Sequence, residues 1–110
     1  IVTEESFSPV IPVQKVDSFN EAIKMSNATK YGLGCTIFTR DIERAMNAAD
    51  KIKSGTVCIN SPLMENIAAP FGGMKQSGIG REHGIEALDE FREAKHIYID
   101  YEHSKKSWWF

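Results

Sequence analysis

The alternation of short β-branched runs with stretches of helical periodicity restricts the fold of this chain more than any other feature. Val10-Ile11-Pro12-Val13-Gln14-Lys15-Val16 reads as a strand whose pairing is limited by Pro9 and Pro12. Ser18 with Glu21 three residues later is a capping-box signature. The helix it opens sets Phe19, Ala22, Ile23 and Ser26 on one face and stops near Asn27, because Tyr31-Gly32-Leu33-Gly34 follows. Cys35 to Thr39 reads as a second strand. Asp41 is a good N-cap, and Ile42, Ala45, Met46, Ala49 and Ile52 form the apolar stripe of a second helix. Gly55 is placed to end that helix in a left-handed conformation, and Thr56 to Asn60 reads as a third strand. The order strand, helix, strand, helix, strand predicts an α/β fold with parallel pairing and right-handed crossovers.

Ser61 to Ala69 reads as a loop. Gly72, Gly73, Gly78, Gly80 and Gly84 then crowd together, five of the eight glycines of the chain. A Walker loop is excluded, because Lys75 is followed by Gln76 and no glycine precedes it directly. The dinucleotide fingerprint fails as well, since His83 stands where its third glycine belongs. Asp100, at the distance of a ribose-binding acid from Gly80, reads as a coincidence. The glycines are expected to let a loop pack tightly and to open a helix where Cβ atoms would clash. That helix would face Ile85, Leu88 and Phe91 inward. His96 to Tyr101 alternates as a final strand, with Ile97, Ile99 and Tyr101 on one face. The chain closes on Lys105-Lys106-Ser107-Trp108-Trp109-Phe110.

Charge and cysteine usage remove whole function classes. Thirteen basic against fifteen acidic side chains leave a net charge of −2, which argues against a nucleic-acid binder. No apolar run is long enough to span a membrane. Cys35 and Cys58 lie in apolar runs without a C-x-x-C pair, so a metal site is not expected and both thiols read as reduced, buried and inert. A cytoplasmic setting goes with that reading. Glu4-Glu5-Ser6-Phe7 reads either as a solvated lead-in or as a carboxylate that accepts from sugar hydroxyls beside a ring that holds a flat heterocycle.

Four blocks resemble the C-terminal part of the aldehyde dehydrogenase superfamily, the NAD(P)-dependent oxidisers of aldehydes to acids. Glu4 to Val10 is similar to E-E-I-F-G-P-V, and Tyr31 to Asp41 to Y-G-L-x-x-x-V-F-T-x-D. Gly55 to Asn60 is similar to G-T-V-W-I-N, and Pro70 to Gly84 to P-F-G-G-x-K-x-S-G-x-G-R-E-x-G. The resemblance implies that Glu5 holds the nicotinamide-ribose hydroxyls of NAD or NADP and that Phe7 packs beside the nicotinamide. It implies an aldehyde pocket shaped by Asn60, Ser61, Leu63, Glu65 and Phe71. Met64 falls in the same variable loop, and an acid at Glu65 suits polar or cationic aldehydes. Ser6 and Ser8 depart from the family's Ile and Gly, and Cys58 from a bulky apolar residue. If that glycine serves a positive φ, Ser8 is strained.

The resemblance also implies what is missing. The family's nucleophilic Cys, its Glu base, its oxyanion-hole Asn and its nucleotide-binding domain lie upstream of the first block, so no catalytic residue falls in this segment. With the absent initiator Met, this suggests a chain cut from something longer and inactive alone. Residues 1–95 would be the C-terminal part of the catalytic domain and 96–110 an oligomerisation strand with an aromatic tail. The resemblance places Arg81 and Glu93 near the subunit interface of a homo-oligomer, dimer or tetramer, with Ile97 and Ile99 on the strand added to a neighbour's sheet. The aromatic tail is expected to dock on a neighbouring subunit. The alternative is a catalytically inactive interaction module derived from such an enzyme.

Overall fold

The computed structural model describes residues 1–62, 64 and 66–101; Leu63, Glu65 and the aromatic tail lie outside the described residues. Helix α1 spans Phe19–Asn27. The Ser18 hydroxyl accepts from the Glu21 N–H at 3.2 Å and the Glu21 carboxylate accepts from the Asp17 N–H at 2.8 Å, a capping box displaced by one residue. Strand β1 is Gly34–Ile37, helix α2 Ile42–Lys51 and strand β2 Thr56–Ile59. Asp41 caps α2 by accepting from the Arg44 N–H at 3.0 Å. The strands pair in parallel, Gly34 opposite Thr56 and Ile37 opposite Ile59, with α2 as the crossover. A short 3-10 turn, Lys75–Ser77, and helix α3, Gly84–Asp89, follow.

Two expected strands do not form. Residues 10–16 and 96–101 carry no regular structure. A strand exists only through the ladder it makes with a partner, and β1 and β2 pair only with each other. Ile97 and Ile99 are therefore exposed, and the expected order reduces to helix, strand, helix, strand. Three further expectations change for similar reasons. Ile85, Leu88 and Phe91 do not face a core: Phe91 is 91% exposed and follows the end of α3. On α2 only Ala45 and Ala48 are buried, while Ile42 and Met46 look outward. Gly55 is not the left-handed end of α2, which stops at Lys51 with Ile52 extended.

Ala45 and Ala48 are the only buried apolar side chains among the described residues. The accessible surface is 9995 Å², against about 6,100 Å² for a compact protein of this mass. The radius of gyration is 21.5 Å, against about 13 Å for a compact domain of this length. The chain has well-made local structure around a very small core of its own.

Candidate functional site

The glycine-rich segment is a closed loop. Phe71 and Glu82 exchange both main-chain hydrogen bonds at 2.7 Å, pinching its ends. Within the loop the Arg81 guanidinium donates through Nη1 to the carbonyls of Gly73 at 3.0 Å and Gly80 at 2.6 Å. A Cβ on Gly72 would stand 2.9 Å from the Arg81 Cδ and 2.6 Å from the Gly80 carbonyl oxygen. Glycine is required there because the Gly80 carbonyl, a main-chain atom, cannot swing away, and the arginine stem lies beside it.

The loop docks on the turn between α1 and β1. The Gly32 carbonyl accepts from Gly55 at 3.0 Å and Met74 at 2.8 Å, and the Gly32 N–H donates to the Ser77 hydroxyl at 2.8 Å. The Lys75 ammonium donates to the carbonyls of Asn27 and Thr29 at 3.2 and 3.1 Å, at the C-terminal end of α1 where orphan carbonyls and the helix dipole favour a cation. The Asn27 side chain spans to the end of α2, donating to the Lys51 carbonyl at 2.9 Å and accepting from the Lys53 N–H at 2.8 Å. The sequence marks Asn27 and Gly55 as helix ends and Lys75 as a lysine that fails the Walker test, and Ser77 only as a letter of the K-x-S-G block; it gives none of them a part in this junction.

The residues expected at the site fall into three groups. Glu5 lines an open groove of about 560 Å³ with Thr29, Tyr31, Lys53 and Ser77, at the N-terminal end of β1. Phe71 lines a mainly apolar cavity of about 490 Å³ with Thr36, Cys58 and Met64. Both spaces share Leu33, Gly34 and Cys35 as a wall. Asn60 and Ser61 lie at the opposite, C-terminal end of β2, away from Glu5. Phe7 is 99% exposed. Ser8 has no positive φ, so its replacement of glycine carries no backbone strain; its N–H donates to the Ser6 carbonyl at 2.8 Å. Leu63 and Glu65 lie outside the described residues. Arg81 is committed to its own loop through Nη1, and Glu93 is exposed.

Both cysteines are free and half-buried. Burial pushes the Cys35 thiol up, and the neighbouring Cys58 adds to the shift. The neutral thiol is the form the fold favours, so the contribution of Cys35 to stability is complete below the ordinary thiol range and is lost as pH rises through the raised value. Alkylation of Cys35 by iodoacetamide at pH 8 should run at least about tenfold slower in the folded protein than in urea; equal rates would contradict the burial. Among the described residues no group of three or more His, Cys, Asp or Glu could hold a metal ion, and no helix is long and apolar enough to cross a membrane.

A model of the aldehyde dehydrogenase family matches residues 1–97. Mitochondrial 10-formyltetrahydrofolate dehydrogenase of Mus musculus is 43% identical over 103 residues, covering 92% of this chain and 11% of that protein. The NAD(P)+ aldehyde dehydrogenase 1 of Saccharomyces cerevisiae is 42% identical over 100 residues, covering 91% of this chain and 20% of that protein. The chain thus spans a fifth or less of these curated relatives. Among solved structures, a variant of betaine aldehyde dehydrogenase from Staphylococcus aureus superposes with a TM-score of 0.90 at 42% identity, covering 98% of this chain and 22% of that one. The aldehyde dehydrogenase of Bacillus cereus, solved as its NAD+ complex, gives 0.87 at 46% identity, covering 91% and 20%. With a matched model over nearly its whole length and a fold shared with these α/β enzymes, the chain belongs to the aldehyde dehydrogenase family.

Proposed function

We propose that this chain works as the C-terminal segment of an NAD(P)-dependent aldehyde dehydrogenase that oxidises an aldehyde to a carboxylic acid through a cysteine thiohemiacetal. The nucleophilic Cys and the Glu base come from the rest of that enzyme. The carrying observation is the wall Leu33-Gly34-Cys35, shared by the groove of Glu5 and the cavity of Phe71. It sets the cofactor-side and substrate-side residues back to back across the start of β1.

The residues present fit the ribose–nicotinamide end of the cofactor. An exposed carboxylate at Glu5 offers two acceptor oxygens to a vicinal diol, and the ring of Phe7 has both faces open for a flat heterocycle. The chemistry NAD(P)+ supplies when bound is acceptance of a hydride. Glu5 orients the ribose, and Phe7 limits how the nicotinamide tilts. Phe71 and Met64 give the aldehyde an apolar surface. Of the pair at the end of β2, Ser61 is left for the aldehyde side, since the Asn60 amide is bonded to Thr39. Ile97 and Ile99, exposed and without a ladder, suit pairing with a sheet edge of a neighbouring subunit in a homo-oligomer.

The two sides separate kinetically. In the dehydrogenase that carries this chain, Glu5→Gln should raise KM for NAD(P)+ about tenfold and leave the aldehyde KM within about twofold, while Phe71→Ala does the reverse. The 110-residue chain alone should form no NADH from aldehyde. Turnover above a no-enzyme control, or equal shifts of both KM values in both variants, would overturn the assignment.

A further inference from the structure

Phe71 sits at the mouth of a loop that is pinched by a main-chain bridge and in which three glycines converge on a single side chain, that of Arg81. Its main chain is bridged to Glu82 at 2.7 Å in both directions. The next residue, Gly72, lies under the Arg81 stem. Gly73 gives its carbonyl to Arg81 Nη1 at 3.0 Å, and Gly80, with φ +82°, turns its carbonyl to the same atom at 2.6 Å. The Phe71 ring is further tilted against the His83 ring, with centroids 6.2 Å apart, and His83 follows the bridge. Glycines at positions 72, 73, 78 and 80 leave this loop little stiffness of its own. The charge-assisted bond from the Arg81 guanidinium to Gly73 crosses the loop and supplies that stiffness, while the bond to its chain neighbour Gly80 fixes the guanidinium for it.

We infer that Arg81 is the positioning residue for Phe71: it holds the glycine loop closed so that the ring keeps a fixed place in the apolar cavity. The inference rests on Phe71 being the aldehyde-side wall, as proposed above. Arg81 touches neither aldehyde nor cofactor; it acts through the Gly72-Gly73 backbone.

Arg81→Met tests this in the dehydrogenase that carries the chain, because methionine keeps an apolar stem over Gly72 and removes the donors. The aldehyde KM should rise about tenfold, with kcat and the KM for NAD(P)+ within about twofold. Arg81→Lys, whose ammonium can still donate to two carbonyls, should recover the aldehyde KM to within about threefold of wild type. In a Phe71→Ala background Arg81→Met should change the aldehyde KM by less than about twofold further, since the two act on one element. A purely structural role would lower kcat through lost folded enzyme with KM unchanged, or would act equally in both backgrounds; either result overturns the inference. Native-state hydrogen exchange gives a readout independent of turnover. In Arg81→Met the Phe71 and Glu82 amides should exchange about tenfold faster, while those paired between β1 and β2 do not. Unchanged exchange at Phe71 and Glu82 overturns the inference whatever the kinetics. If Phe71→Ala leaves the aldehyde KM unchanged, the pocket assignment falls, and the exchange result alone decides the role of Arg81.

Discussion

Gly55→Ala should destabilise the fold by about 3 kcal/mol, near the upper end for overpacking a close-packed site. The cause is a backbone approach and not a backbone angle. A Cβ at Gly55 would collide with the Gly72 carbonyl oxygen and stand 2.7 Å from its carbonyl carbon. Neither atom belongs to a flexible side chain, so neither can swing away. Gly55 also donates to the Gly32 carbonyl, at 3.0 Å, which Met74 shares. Moving Gly55 to relieve the clash therefore pulls on the junction that seats the glycine loop. Gly78 is the informative contrast. Its φ of +147° is a glycine conformation, yet nothing lies within 4 Å of a Cβ built there. Gly78→Ala carries backbone strain alone, about 1–2 kcal/mol. Urea denaturation of the enzyme carrying each variant measures both. A smaller loss for Gly55→Ala than for Gly78→Ala would show that the loop separates from β2 without cost.

The contrast marks the boundary of what the sequence discloses. Features set by neighbours a few residues apart were legible: the capping residues Ser18 and Asp41, the span of α1, the parallel pairing implied by β1, α2 and β2. Gly55 is legible as a glycine after a helix, which suggests a local reason for it. Its actual reason, Gly72, is distant in sequence and invisible to any local pattern. The apolar alternation of residues 10–16 and 96–101 predicts strands that do not form, because the pattern states a need for a partner and cannot supply one. The same holds for Ile85, Leu88 and Phe91, whose spacing is that of a buried face with nothing here to bury it. At the site, Glu5 and Phe71 came from resemblance of whole blocks. The structure adds that they border neighbouring spaces, and it gives Lys75, Ser77 and Arg81 physical reasons for their places in the glycine block.

Asn60 shows how a residue expected at the pocket takes on a different role. It follows the last residue of β2 with φ +55°, a left-handed conformation that asparagine tolerates better than most side chains. Its N–H donates to the Ile37 carbonyl at 2.8 Å. Its side-chain oxygen accepts from the Thr39 N–H, and its side-chain NH2 donates to the Thr39 carbonyl, both at 2.8 Å. The amide thus imitates a further peptide group and extends the pairing of β1 with β2 past the end of the strands. Asn60→Ala removes both side-chain bonds, at about 1 kcal/mol each where water can partly replace them, and leaves an alanine in left-handed backbone. The expected loss is about 3 kcal/mol in urea denaturation. Asn60→Gly relieves the backbone and not the bonds, so about 2 kcal/mol should go. Because the amide is committed to Thr39, Asn60→Gly should leave the aldehyde KM of the folded enzyme within about twofold of wild type. A tenfold rise in that KM with the denaturation midpoint unchanged would mean that Asn60 serves the aldehyde and not the sheet.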